Sequence, residues 1–282
     1  MRILLVAALL LCSIGHAQQR VEVPSLDQRD GAPVTLVGHW FAAGDGAPRP
    51  AVVLLHGCGG PYNGKGELSA GMRRYSALLN AEGWHALVLD SLTPRGEREL
   101  CTQKYGDRAV TQAHRRRDAL GALQWLAARP DVDAQRIALL GWSHGGSTVL
   151  AATEAADFDV RAARAKPRAA VAFYPGCADA LRARYRPTVP LLLLVGANDD
   201  WTAPQPCERL AQGYGPRVQI EVYANAYHGF DGTPPLRLRT DVPNGVNPGQ
   251  GVHVGGDAVA AAASRQRLLA FLHEQLDDGA AR

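Results

Sequence analysis

The stretch Arg136-Ile-Ala-Leu-Leu-Gly-Trp-Ser-His-Gly-Gly146 constrains the chain more than any other. Its apolar start has the composition of a buried strand. Gly141-Trp142-Ser143-His144-Gly145 then sets glycines two residues to either side of one serine, a pattern that requires a strand before it and a helix after it. These glycines, with Gly146, let neighbouring backbone approach without Cβ clashes while Ser143 is held in a sharp, strained turn. Strand, turn and helix in that order belong to a parallel sheet covered on both faces.

The rest of the chain repeats the alternation. Short apolar runs predict strands at Val34–Phe41, Ala51–Leu55, His85–Leu89, Arg136–Leu140, Ala169–Tyr174, Pro190–Val195 and Gln219–Tyr223. Between them, Ala119, Ala122, Leu123 and Leu126 fall at helical spacing, as do Leu268, Phe271, Leu272 and Leu276. Further helices are expected just after Ser143 and over about Leu68–Ala81 and Gln205–Tyr214. The fold class is therefore α/β, with a mostly parallel sheet of about seven or eight strands and helices on both faces. Ser91–Gly106 and the Gly/Pro-rich run Gly229–Gly256 resist regular structure and follow strand ends where such sheets bind ligands, which makes them candidate pocket walls.

Residues 1–17 stand apart. Arg2, the apolar run Ile3–Ile14 and the small-residue site Gly15-His16-Ala17 read as a secretory signal cleaved after Ala17, with lipid attachment at Cys12 as the alternative. A run that short does not cross a hydrocarbon core of about 30 Å. No later segment is apolar enough to span, so no stable membrane insertion is expected after signal removal, and residues 18–282 read as one domain. Secretion or a periplasmic location follows. Cleavage leaves Cys58, Cys101, Cys177 and Cys207, an even number in an oxidising compartment. Pairing Cys58 with Cys101 and Cys177 with Cys207 puts each bridge near one end of the sheet. A formal net charge of +3 gives no reason to expect nucleic acid as a partner. The oligomeric state is left open.

Ser143, exposed above a helix N-terminus, is the candidate nucleophile, and a lone serine needs a base and an orienting acid. On this kind of scaffold the chain order is Ser, acid, His. Leu191-Leu-Leu-Leu-Val-Gly-Ala-Asn-Asp-Asp200 supplies Asp199, with Asp200 as the alternative, and Tyr227-His228-Gly-Phe supplies His228 as the base. The amides of Cys58, in His56-Gly-Cys-Gly-Gly60, and of His144 are the expected oxyanion donors. The thiol of Cys58 as a second nucleophile is disfavoured beside a complete serine site. Arg115-Arg116-Arg117 reads as a solvated helix face, and no grouping of ligand residues calls for a metal.

On these four motifs the chain from about Val34 to Leu276 resembles the dienelactone hydrolase family of the α/β-hydrolase fold, in a secreted or periplasmic branch with a serine nucleophile. The resemblance implies hydrolysis of a small-molecule ester or lactone without a cofactor. Two departures go with it. Family members proper use a Cys nucleophile and a Glu in the oxyanion loop, where this chain has Ser143 and, near that Glu position, Gly57. Arg95, in Asp90-Ser-Leu-Thr-Pro-Arg95, stands one residue from where the family holds a substrate carboxylate, and is the candidate anion-binding residue; the alternative is local pairing with Glu97 or Glu99. The reading that follows is a serine carboxylic ester hydrolase working through an acyl-enzyme. A peptidase or acyltransferase would use the same residues, and an inactive binding protein could use the same fold.

Overall fold

The computed structural model describes residues 18–277 apart from residue 45; the cleavage site after Ala17 and Cys12 lie outside the described residues. The strands are β1 (Gln19–Arg29), β2 (Ala32–Phe41), β3 (Arg49–Leu55), β4 (His85–Asp90), β5 (Val132–Trp142), β6 (Ala169–Phe173), β7 (Leu191–Gly196), β8 (Val218–Tyr223), β9 (Arg237–Arg239) and β10 (Val252–Val254). The helices are α1 (Ala70–Ala81), α2 (Gln112–Ala127), α3 (His144–Ala152), α4 (Phe158–Ala162), α5 (Ala178–Arg182), α6 (Gln205–Gln212) and α7 (Ala258–Leu276).

Eight strands form one sheet in the order β1-β2-β4-β3-β5-β6-β7-β8. β1 and β2 are antiparallel, and every pair from β4 to β8 is parallel. All seven expected strands are present. β1 is the addition: its charged and polar residues hide a period of two in which Val23, Ser25 and Asp27 turn inward. The central strands are apolar on both faces because both faces are covered. Val53, Leu139 and Leu193 point to the side of α2, α3 and α6, while Val52, Leu140 and Leu194 point to α1 and α7. Along α7, Leu268, Phe271, Leu272 and Leu276 form one buried stripe, each side chain contributing about 1.5–3 kcal/mol by its removal from water.

α2 lies so close to β1 that a Cβ on Gly121 would sit 2.3 Å from Pro24 O, so only glycine fits there. Parallel strands bring all their C-terminal ends to one edge, and the loops after β3, β4, β5, β6, β7 and β8 meet there. Among the described residues no helix is long and apolar enough to cross a membrane.

Candidate active site

Ser143 follows β5 and precedes α3 with φ 53° and ψ −116°, a left-handed turn that strains any residue but glycine. Its N–H donates to Phe173 O at 2.9 Å, which ties the turn to β6. A Cβ on Gly145 would lie 2.0 Å from Leu55 O, and one on Gly141 would lie 2.2 Å from Gly145 O. The glycines of the motif are thus the contact surfaces that let α3 start directly against β3.

His228, beyond β8, brings Nε2 to 2.9 Å from Ser143 Oγ and Nδ1 to 2.8 Å from Asp199 Oδ2. The imidazole lies between the rings of Tyr174 and Trp201, each with its centroid 4.6 Å away. Asp199 follows β7, and its Oδ1 accepts the amides of Trp201 at 2.9 Å and Thr202 at 2.8 Å, fixing the carboxylate. Of the two adjacent aspartates, Asp199 faces His228. Asp200 turns the other way and binds His253 through Nδ1 at 2.7 Å and through its amide at 2.8 Å.

The loop His56–Gly60 lies against the serine turn: a Cβ on Gly57 would meet Ser143 Cβ at 3.6 Å. Cys58, Ser143 and His144 line one cleft of about 890 Å³. Cys58 is bonded to Cys101 and Cys177 to Cys207, in the pairing expected. The first bridge joins the His56–Gly60 loop to the segment after β4, which also donates from Leu100 N to Cys58 O at 2.8 Å.

Both irregular stretches reach this cleft, the first through Tyr105, with Arg108 and Val110 just beyond its end, and the second through Gly245 and Val246. They also hold each other, since Asn244 donates to Gln103 O at 2.8 Å and accepts from Tyr105 N at 3.3 Å. The second stretch is not wholly irregular: β9 and β10 pair antiparallel within it, and Val254 bridges to His228.

Arg95 does not reach the cleft. Its guanidinium is buried in a bidentate pair with Asp118 at 2.7 and 2.9 Å and donates to Asp27 at 2.9 Å and Ser91 O at 2.8 Å, so both Nη atoms are engaged inside the protein. Neither Glu97 nor Glu99 is its partner; these bind Gln103 and Thr102. Three other arginines, Arg108, Arg116 and Arg182, line the cleft; Arg116 and Arg182 pair with aspartates, whereas Arg108 has its guanidinium 4.3 Å from the Tyr105 ring and, among the described residues, no carboxylate at ion-pair distance. Burial lowers its pKa.

The arginine triplet also departs from expectation. Arg116 and Arg117 pair near the surface with Asp157, Asp159 and Asp27, but Arg115 is fully buried. It donates from Nη1 to His144 Nδ1 at 2.8 Å and from Nη2 to His56 O at 2.7 Å. Burial brings its pKa down to about 10, and burial together with the Arg115 charge holds His56 and His144 well below the usual histidine range. The signal was present in the sequence: the stripe Ala119, Ala122, Leu126 extended one turn backwards lands on position 115.

Sequence reasoning also missed Asp231. This buried carboxylate accepts from Tyr174 Oη at 2.6 Å, Tyr75 Oη at 2.8 Å and Trp142 Nε1 at 3.1 Å. It therefore fixes the ring that packs on His228 and the residue before Ser143. Burial, with the charge of Asp231, raises the pKa of both tyrosines.

The model of the dienelactone hydrolase family matches residues 38–276. No curated protein matches the chain in sequence. Among solved structures, Thermogutta terrifontis esterase 2 phosphoramylated by tabun is 17% identical with a TM-score of 0.61, covering 94% of this chain and 97% of that one. The same esterase with propionate bound is 18% identical with a TM-score of 0.60, covering 93% and 96%. Porphyromonas gingivalis dipeptidyl peptidase 4 is 17% identical with a TM-score of 0.61; 93% of this chain matches 36% of that longer one. At these identities the likeness is one of fold.

Proposed function

The chain belongs to the dienelactone hydrolase family, and from that premise we propose that it is a serine hydrolase cleaving a carboxylic ester or lactone through an acyl-enzyme. The observation that carries the reading is the unbroken line Ser143 Oγ, His228, Asp199, with Ser143 lining the cleft. Ser143 Oγ attacks the carbonyl carbon as its proton passes to His228 Nε2, and Asp199 steadies the imidazolium through Nδ1. The carbonyl oxygen becomes an anion held by the amides of Cys58 and His144. The tetrahedral intermediate collapses, the C–O bond to the leaving group breaks, and His228 returns the proton to that oxygen. Water then attacks the acyl-enzyme by the same route, releasing the acid and restoring Ser143.

Propionate bound to an esterase of the same fold agrees with a small acyl product in such a cleft. The anion-binding role first read at Arg95 passes to Arg108, the arginine of the cleft lining that, among the described residues, has no carboxylate partner. An Arg108→Ala variant should lose activity on acid-bearing esters relative to neutral ones, and an unchanged ratio removes that role. The reading extends to location: two disulfides and the N-terminal pattern favour one domain over residues 18–282 working outside the cytoplasm.

The test is intact-mass analysis after treatment with a fluorophosphonate, with Ser143→Ala alongside. One adduct, mapped to Ser143 and absent from the variant, supports the reading. No adduct on folded protein sinks it in favour of a binding protein, and an adduct on the variant means another nucleophile. Product analysis with a competing alcohol or amine separates hydrolysis from acyl transfer.

A further inference from the structure

Arg115 is a buried cation with no carboxylate of its own. Asp118, one helical turn away, is taken by both Nη atoms of Arg95 and by Ser25 Oγ at 2.6 Å. Arg115 instead ends on two uncharged acceptors, His56 O and His144 Nδ1, and its Nε has no partner. Placing a charge there costs several kcal/mol that an apolar side chain would avoid, so packing alone does not account for it.

Its two acceptors account for it better. His56 opens the loop that carries Cys58, and His144 is the first residue of α3, directly after Ser143. These elements leave different strands, β3 and β5, and the guanidinium is a rigid planar fork between them. Because a guanidinium has no acceptor, His144 Nδ1 must be unprotonated, which fixes the ring as the Nε2–H tautomer. The carbonyl of His144 is held from the other side by Gln112 Nε2 at 3.1 Å and Thr148 Oγ1 at 2.9 Å, so both ends of that residue are pinned.

We propose that Arg115 is a positioning residue for the oxyanion pocket: its fork across His56 O and His144 Nδ1 sets the separation of the Cys58 and His144 amides, with its positive charge behind the site where the oxyanion forms. The role rests on the serine-hydrolase reading above. It gives a buried helix residue, which touches no substrate, control over a step in which donors must be placed to a fraction of an ångström.

The test uses Arg115→Met and Arg115→Lys in the full chain, with active serines counted by fluorophosphonate so that unfolded molecules drop out. Per active serine, Arg115→Met should lose about 10²-fold in kcat with KM within about threefold. Affinity for a phenylboronic acid, which forms a tetrahedral anion on the serine, should fall in parallel with kcat/KM. Arg115→Lys, which keeps the charge without the fork, should recover part of both. A per-serine kcat within threefold of wild type, or an unchanged boronate affinity, overturns the role, because a purely structural arginine would change only the number of active serines. Should Arg115→Met not fold, ¹⁵N shifts of His144 in the wild type decide: a neutral Nε2–H ring supports the bridge, and a proton on Nδ1 overturns it. A wild type with no titratable serine overturns the hydrolase reading and this role together.

Discussion

Two neighbouring aspartates each bind a histidine, and the two pairs have almost the same length: 2.8 Å for Asp199 with His228 and 2.7 Å for Asp200 with His253. Their surroundings differ. In the first pair the side chains are 4% and 1% exposed, and the far nitrogen of the imidazole meets Ser143. In the second they are 42% and 30% exposed, and the carboxylate binds the amide and ring of one residue on β10. Water screens the second pair and leaves it little electrostatic value, so its use is mechanical: it ties the wall of the cleft to the end of β7. The buried pair is held by two backbone amides and two aromatic rings, and its orientation can matter to chemistry. Pairing alone therefore says nothing about role; burial and the third partner decide it.

The comparison can be broken most sharply at Asp199. Asp199→Asn keeps the shape but presents an amide to Nδ1, and kcat on an aryl ester should fall about 10³- to 10⁴-fold. Parity with wild type would leave the two pairs equivalent. A buried ion pair of a different kind gives the next effect. Arg95→Ala strands the buried carboxylate of Asp118, leaves Asp27 with Arg117 alone, and should cost about 3–5 kcal/mol in urea unfolding. It should leave the ratio of activity on acidic to neutral esters alone, and a change in that ratio would return Arg95 to the site.

Acid should expose the same contrast between buried and screened histidines. The folded pKa values of His56 and His144 are depressed, first by burial and then by Arg115. Below about pH 6.5 the unfolded chain takes up protons at both positions that the folded protein refuses. Their contribution to stability is complete above that pH and is lost as pH falls toward the depressed values, by up to about 1.4 kcal/mol per pH unit for each histidine. Thermal melts of Ser143→Ala from pH 7 to 4 should show this slope, and a flat profile would contradict two buried neutral histidines. The smallest effect belongs to the exposed pair. Asp200→Asn should change stability by less than about 1 kcal/mol and kcat by less than about tenfold. A loss as large as that of Asp199→Asn would reverse the assignment of the two aspartates.

The candidate site was legible where local chemistry is distinctive. Gly141-Trp-Ser-His-Gly145 needs a strand, a strained turn and a helix, and finds them. The favoured pairing of the four cysteines, chosen among three because each bridge would lie near one end of the sheet, is the one the structure has. Arg95 was misread because a loop arginine looks free in sequence; its partners Asp27 and Asp118 lie 68 and 23 residues away. Arg115 was misread for the opposite reason, since three consecutive arginines look like a wet face even when one of them falls on the buried stripe. Asp231 carried no sequence signal, because its three donors come from α1, β5 and the end of β6.

What the sequence determined by itself is therefore the set of local rules: which runs are apolar enough to be central strands, where glycine must relieve a clash, and in what order Ser143, Asp199 and His228 occur. What only the tertiary structure decided is the assignment of charges to partners, Asp199 rather than Asp200 for His228 and Arg108 rather than Arg95 for the cleft. Strand and turn preferences act within a few residues of the chain, while ion pairs and burial depend on distances that exist only once the sheet has brought remote loops to one edge.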